Sequence, residues 1–373
     1  MSLRILGLEP FFGGSHRAFL EGWIAGSRHR WTLLSLPPHH WKWRMRHCAL
    51  TFARQTEELL RDGEGPWDLV FATDMVDLAQ FRGLAPPPVG TLPAVAYFHE
   101  NQLTYPVRRE EPRDLHFAFT NFSTALAARE VWFNSEFHRE TFMAALAELF
   151  RRLPEPRPSA QLEELHGRAR IFPQGIEPFP LREPRRPGPL HLLWAARWEH
   201  DKNPADLFAA LERVEERGVE FRLSVLGERY REIPQALQQG RERFRQRIDH
   251  WGFLPGKEDY RRALLAADVF LSTAVHEFFG VSAAEALAAG TFPLLPRRLA
   301  YPELLAALPP DLAARHLYDG TPGDLAFRIE ALAGDLAAEG RMPDPDPLRQ
   351  ASQRFLWPHL RPRLDDALEA VRG

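Results

Sequence analysis

His276-Glu277-Phe278-Phe279-Gly280-Val281-Ser282-Ala283-Ala284-Glu285 follows a run that reads as a strand, Val269 to Ser272, and opens a run that reads as a helix, Val281 to Ala289. Strand, glycine turn and helix together form the repeating unit of a parallel sheet covered by helices. Gly280 lets the backbone approach a ligand closely. The amides of Val281 and Ser282 fall at a helix N-terminus, where free N–H groups and the helix dipole favour a diphosphate. Two carboxylates flank the turn: Glu285, one turn into the helix, can accept from ribose hydroxyls, and Glu277, before the turn, can reach a donor sugar. A packing glycine with an acid in the first turns of a helix would give the same letters.

A second group of residues favours the functional reading. Ala195-Ala196-Arg197-Trp198-Glu199-His200-Asp201-Lys202-Asn203-Pro204 follows another strand-like run, Leu190 to Ala195. Breaking a sugar–phosphate bond leaves a diphosphate whose added charge needs a metal or fixed cations. Arg197 and Lys202 sit on one strand-to-helix loop and supply fixed cations, Arg197 as a two-oxygen clamp and Lys202 as a point charge. For Lys202 taken alone, a solvated charged loop is the alternative. Asp344-Pro345-Asp346 has the Asp-x-Asp form of metal-dependent sugar transferases, but no strand precedes it and it reads as a loop. The histidines show no zinc spacing. Neither a metal nor a cofactor is expected, only a nucleotide-sugar donor substrate.

Outward from these two loops the same alternation continues. Strands are expected at Leu190 to Ala195, Phe221 to Leu226, Val269 to Ser272 and Phe292 to Leu295, with helices at Pro204 to Arg217, Tyr260 to Ala267 and Val281 to Ala289. An earlier set has strands at Leu3 to Leu8, Trp31 to Leu36, Asp68 to Ala72, Ala94 to Phe98, Val131 to Phe133 and Ala169 to Phe172, with helices at His16 to Ala25, Cys48 to Leu60 and Leu115 to Ala128. Arg151 to Pro158 reads as a Pro- and Arg-rich insertion. Pro173 to Pro189, with six prolines and no hydrophobic period, reads as an interdomain linker. The expected division is therefore an N-terminal Rossmann-like domain over 1–180, a second over 181–345, and a helical tail over 346–373. That tail is expected to break at Pro358 and to pack back on the N-terminal domain. A length of 373 residues, 45% of them hydrophobic, suits two cores.

Charge and cysteine content narrow the setting. The chain has one cysteine, Cys48, no run long enough to suggest a membrane span and no signal-peptide pattern, so a cytoplasmic protein is expected. A net charge of -3 carries no global nucleic-acid signature. The distribution is uneven, however: residues 1–56 hold eight Lys or Arg against Glu9 and Glu21, a local balance of +6, with five histidines.

Several loops of the first half open onto the carboxyl edge of its sheet, where ligands bind in doubly wound folds. Pro10-Phe11-Phe12-Gly13-Gly14-Ser15-His16 joins the first strand to the first helix, and His99-Glu100-Asn101 follows a later strand. His99 is expected to contact the donor sugar, and Glu100 and Asn101 to make polar contacts to donor or acceptor. Asp74 and Asp77 follow a third strand, with a helix cap the favoured reading for Asp74. In Trp41-Lys42-Trp43-Arg44-Met45-Arg46, exposed rings beside cations can stack a base and hold its phosphate. A half-buried strand or loop with solvent-facing charges is the alternative. Arg108 and Arg109 could extend that surface.

Arg197, Lys202, Glu277 and Glu285 together resemble the retaining glycosyltransferases of family 4, which have the GT-B fold. Phe12-Gly13-Gly14-Ser15-His16, Leu36-Pro37 to Arg44, Tyr97 to Val107 with its His99-Glu100-Asn101-Gln102 core, Phe133-Asn134-Ser135, and His276 to Val281 followed by Tyr301-Pro302-Glu303 are similar to the tRNA-queuosine alpha-mannosyltransferase family. The resemblance runs over nearly the whole chain. It implies an α/β protein of two Rossmann-like doubly wound domains facing each other across a cleft. The implied reaction moves mannose from GDP-mannose to the cyclopentenediol of queuosine in an aspartate tRNA anticodon loop, with retained configuration. In that scheme Arg197 and Lys202 hold the departing diphosphate, while Glu277 orients the mannose and Glu285 the ribose. Phe278, Gly280, Val281 and Ser282 complete the donor site, and Gly13, Gly14 and His99 close it. His16, Trp41, Lys42, Trp43, Arg44, Arg46, Glu100 and Asn101 face the acceptor. A family 4 enzyme with a lipid or small-glycoside acceptor is the competing enzyme reading, and a nucleotide-sugar-binding regulator without turnover is the non-enzymatic one.

Overall fold

The computed structural model describes residues 2–106, 114–155, 157–228 and 233–373, so Arg108 and Arg109 lie outside the described residues. The chain divides into two compact units, residues 1–175 with 357–373, and residues 176–356.

In the first unit, β1 (Arg4–Glu9), β2 (Arg30–Ser35), β3 (Leu69–Thr73), β4 (Ala94–Phe98), β5 (Glu130–Phe133) and β6 (Ala169–Ile171) form one sheet in the order β2-β1-β3-β4-β5-β6. Every pairing is parallel. β3 and β4 are buried along their whole length, as continuous apolar runs in a two-sided parallel sheet must be. Because side chains alternate across a strand, neighbouring residues feed two different cores. Leu6, Leu8, Val70, Ala96 and Phe133 pack on one side with Phe52 and Phe81. Ile5, Leu69, Phe71, Val95, Tyr97 and Trp132 pack on the other with Phe19, Trp23 and Trp357.

The second unit repeats the plan. β7 (Leu190–Ala195), β8 (Phe221–Leu226), β9 (Ile248–Gly252), β10 (Val269–Leu271), β11 (Phe292–Pro296) and β12 (Leu317–Tyr318) form a parallel sheet in the order β12-β11-β10-β7-β8-β9. Alternation again splits the strands. Leu193, Phe270 and Leu295 join the helix Val281–Ala289 on one side, while Leu192, Trp194, Val225 and Leu294 join the helix Pro204–Glu216 on the other.

The structure corrects several expectations. Trp41–Arg46 is neither strand nor loop but the first turns of a 21-residue helix, Trp41–Arg61, whose buried stripe of Met45, Cys48, Ala49 and Phe52 has helical rather than strand spacing. The Arg151–Pro158 insertion is the junction between two helices, Glu136–Arg152 and Ser159–Arg168. The supposed linker belongs largely to the second unit from residue 176 onward. There Arg182 donates to Ala267 O and Gly290 O, and Arg185 pairs with Asp268. Asp74 caps no helix; Asp77 does, accepting from Gln80 N. In the tail, residues 346–356 stay with the second unit and the break falls before Trp357. Pro358 lies in the first turn of the following helix, where its missing N–H costs nothing.

That last helix, Trp357–Arg372, belongs to the first unit, and one buried carboxylate makes several of its ties there. Asp365, buried, accepts from Trp23 Nε1, Ser27 Oγ and Arg28 N, each at 2.8 Å. Trp357 fills the space over Gly22 and Gly175, where a built Cβ would come within 2.3–2.5 Å of the indole. Replacing Asp365 with alanine orphans a buried indole N–H, so Asp365→Ala should lower unfolding stability by roughly 2–4 kcal/mol. Urea unfolding followed by circular dichroism measures this; a loss below about 0.5 kcal/mol would show that packing of Trp357 alone holds the helix.

Candidate active site

In the second unit the loops after β7 and β10 meet through Lys202. Its side chain lies in a one-turn 3-10 segment, His200–Lys202, and is only 8% exposed. The ammonium donates to His276 O at 2.9 Å and to Glu277 Oε2 at 3.2 Å, and lies 3.2 Å from Asp201 Oδ2. Burial alone would lower its pKa, but Glu277 and Asp201 outweigh burial and raise it, so the charge is retained. Asp201, which sequence reasoning passed over, is therefore part of the site. Arg197, on the same loop, pairs with Glu199 at 3.4 Å. The neighbouring His276 is pushed down to about 4 by burial and then by Lys202, and is neutral.

The turn that follows has the geometry its letters imply. Gly280 holds φ 92°, and a Cβ there would approach the Tyr301 ring to 3.0 Å, so both conformation and space demand glycine. It opens the helix Val281–Ala289, which has no side-chain cap, so the first-turn amides of Val281 and Ser282 sit at an uncapped positive end. Phe278 is buried edge-to-face against His276. Glu285 accepts from Tyr260 Oη at 2.9 Å. Burial pushes its carboxyl up to about 7, against the hydrogen bond from Tyr260 and the charges of Lys257 and Arg261. Tyr260 stood inside a helix already expected, but nothing in that run marked it as facing Glu285.

The first unit gathers a separate buried cluster at the carboxyl ends of β1, β3 and β4. Glu9, fully buried, closes the Pro10–His16 loop by accepting from Phe11 N at 2.7 Å. It meets His16 Nδ1 at 3.1 Å. His16 in turn stacks on His99, with centroids 4.0 Å apart and planes 25° apart. Burial would lower the His16 pKa, but the charge and hydrogen bond of Glu9 override it and raise it to about 9. His99 goes the other way: burial and the adjacent His16 cation drive it well below its usual value. Asp74 accepts from His99 N at 2.9 Å, and burial pushes its carboxyl upward against the pull of His16.

Glu9, His16 and His99 are the one group of this kind among the described residues whose ligand atoms lie close enough to suggest a metal. Their geometry favours an ion pair instead. Glu9 Oε2 and His16 Nδ1 are bonded to each other, and the two imidazoles lie face to face rather than converging on a point.

Around that cluster the expected contact residues separate. Gly13 lies against Pro38, where a Cβ would come within 2.5 Å, and Gly14 has φ 52°. Glu100 accepts from Gln102 Nε2. Asn101 is fully buried, with Oδ1 accepting from Leu103 N and Thr104 N to shape its own loop. Trp41 packs on Phe117 with centroids 5.1 Å apart, whereas Trp43 is 61% exposed. Lys42 lies over the Trp41 ring. Arg44 is engaged by Pro37 O, His39 and His47, and Arg46 by Asp114 and the Phe117 face. The local +6 is also offset by acids distant in sequence, since Arg28 pairs with Asp366 and Glu369, and Arg4 with Glu64.

Comparison with known proteins shows the family and the fold. Residues 4–176 match the family described as tRNA-queuosine alpha-mannosyltransferase N-terminal, and residues 179–308 match glycosyl transferases group 1. A tRNA-queuosine alpha-mannosyltransferase of Drosophila melanogaster is 36% identical over 312 residues, covering 80% of this chain and 81% of the relative. The chain belongs to the tRNA-queuosine alpha-mannosyltransferase family. Anabaena HepE in complex with UDP and glucose superposes with a TM-score of 0.67 at 14% identity, covering 99% of this chain and 100% of that one. Sucrose-phosphate synthase from Thermosynechococcus elongatus gives 0.68 at 14% identity, covering 99% of each chain. These likenesses show the fold, which is GT-B. No helix among the described residues is long and apolar enough to cross a membrane.

The Glu9–His16 pair has a consequence for stability. His16 titrates near 9 in the folded chain and near 6.5 unfolded, so its stabilisation is complete below about 6.5 and is lost as pH rises through about 9. Wild type should lose about 1–3 kcal/mol more than Glu9→Gln between those limits. Denaturant unfolding of both proteins across that range checks it, and parallel pH profiles would mean that His16 is neutral throughout.

Proposed function

We propose that the chain transfers mannose from GDP-mannose to the cyclopentenediol of queuosine in a tRNA anticodon loop, with the alpha configuration retained. The observation that carries this reading is the buried Lys202 cation beside Glu277, set next to the uncapped helix turn at Gly280, in a member of this family.

The diphosphate oxygens take hydrogen bonds from Lys202, from Arg197 and from the amides of Val281 and Ser282. As the sugar–phosphate bond breaks, negative charge grows on the leaving oxygen, and a fixed ammonium already stripped of water stabilises it without a metal. Glu277 and Asp201 hold that ammonium in place. Glu277 also accepts from the hexose hydroxyls, and Glu285, with one oxygen held by Tyr260, offers the other to the ribose. The departing diphosphate itself assists removal of the acceptor's hydroxyl proton, so no protein base is required at the face where the hydroxyl arrives. Trp43, exposed at the start of a helix that also carries Lys42, Arg44 and Arg46, presents a ring on which an unpaired base can stack beside phosphate-binding cations. The same reading extends to a cytoplasmic location, where a tRNA acceptor is available.

The acceptor is tested by incubating the protein with GDP-mannose and either queuosine-containing or wobble-guanosine tRNA, then analysing nucleosides by mass. A hexose should appear on queuosine alone, with the guanosine tRNA still competing for binding. Equal glycosylation of both, or of neither with GDP-mannose still consumed, would assign the acceptor elsewhere.

A further inference from the structure

At the strand ends of the first sheet His99 presents an unused hydrogen-bonding atom. His99 Nε2 is buried and has no hydrogen-bond partner among the described residues. Every other polar atom of that residue is engaged. Its N–H donates to Asp74 Oδ1 and its carbonyl accepts from Asn134 Nδ2, both at 2.9 Å. Its Nδ1 lies 2.9 Å from Nε2 of Gln174, a residue 5% exposed that follows β6.

With the Gln174 amide oriented so that its nitrogen faces Nδ1, that nitrogen donates and cannot accept, which makes Nδ1 the bare ring nitrogen. The ring is neutral, because it is buried and stacked on His16, which Glu9 holds as a cation. A neutral imidazole with a bare Nδ1 carries its proton on Nε2. From this contact geometry we infer that Gln174 is a positioning residue that holds His99 as the Nε2–H tautomer, making it a donor to a hydroxyl or phosphate oxygen of the substrate and not a base. The inference rests on the proposed sugar transfer only for the identity of that oxygen, since the tautomer is a property of the chain itself. The other members of the cluster serve the same end. Glu9 fixes His16, His16 keeps His99 neutral, and Asp74 with Asn134 anchors the backbone from which the ring projects. A buried N–H without an acceptor is costly, and a substrate oxygen brought to it removes that cost.

The test is a nitrogen NMR spectrum of the full-length protein with labelled histidine, with His99 assigned by its loss in His99→Asn. At neutral pH, His99 should show a protonated Nε2 and a bare Nδ1. In Gln174→Glu, which keeps the side-chain size, the carboxylate accepts from Nδ1–H. The ring should then reverse its tautomer or take a second proton, and kcat should fall about tenfold or more. Gln174→Met removes the constraint without imposing the opposite one and should give a mixed tautomer and a smaller loss. A wild-type spectrum with the proton on Nδ1 overturns the inference, as does a Gln174→Glu protein with unchanged ring nitrogens and unchanged kcat. If the wild-type spectrum is as expected but no sugar reaches queuosine, the tautomer stands and the acceptor assignment alone fails.

Discussion

A single ammonium organises the second unit. Lys202 is buried almost completely, and a cation so placed persists only when carboxylates and carbonyls replace the water it has lost. Asp201 comes from its own loop, and Glu277 and the His276 carbonyl from the loop after β10. These contacts therefore bring together the loops after two strands, Lys202 and His276 being 74 residues apart in the chain. Thr273 Oγ1 adds a further tie by donating to the Lys202 carbonyl. The Gly280 turn follows immediately, so the position of the helix N-terminus depends on the same contacts. Removing the ammonium would take from Asp201 and Glu277 the cation that both contact.

The first unit solves a different electrostatic problem. Its sheet edge carries two histidines in contact, one a cation and one neutral: Glu9, with smaller help from Asp74 and Glu100, raises His16, while burial and the His16 charge lower His99. Stacked imidazoles in a buried site cannot both carry a positive charge at neutral pH, and the carboxylate on β1, bonded to His16, favours the charge there. In this way a residue that touches no expected substrate group determines the chemistry of one that does.

Much of the fold was legible in the sequence because parallel strands buried on both faces are continuous apolar runs, as at Leu69–Thr73 and Ala94–Phe98. β9 was missed because Ile248-Asp249-His250-Trp251 is a half-exposed edge with polar letters, and β12 because two residues give no pattern. The Trp41–Arg46 alternation imitated a strand over six residues, while the helical stripe appears only over the longer span to Phe52. At the site, Lys202, Glu277, Glu285 and His99 stood out because they sit beside glycines or at strand ends. Glu9 and Asp74 stood at strand ends as well, but a lone acid there looks like a cap or a turn. Gln174 was hidden in a proline-rich run that resembles a linker. Its partner, His99, lies 75 residues away, a distance no local pattern spans.

The central claim is that Lys202 recognises the second phosphate of the donor nucleotide. Calorimetry of GDP and GMP binding to wild type and to Lys202→Ala tests it directly, because the comparison cancels whatever the base and ribose contribute. Wild type should bind GDP more tightly than GMP by about 2 kcal/mol or more, the scale of a charge-assisted contact in a buried site, and Lys202→Ala should lose most of that difference while its GMP affinity stays close to wild type. An undiminished preference for GDP in Lys202→Ala would contradict the claim and assign the diphosphate to the helix N-terminus and Arg197 alone.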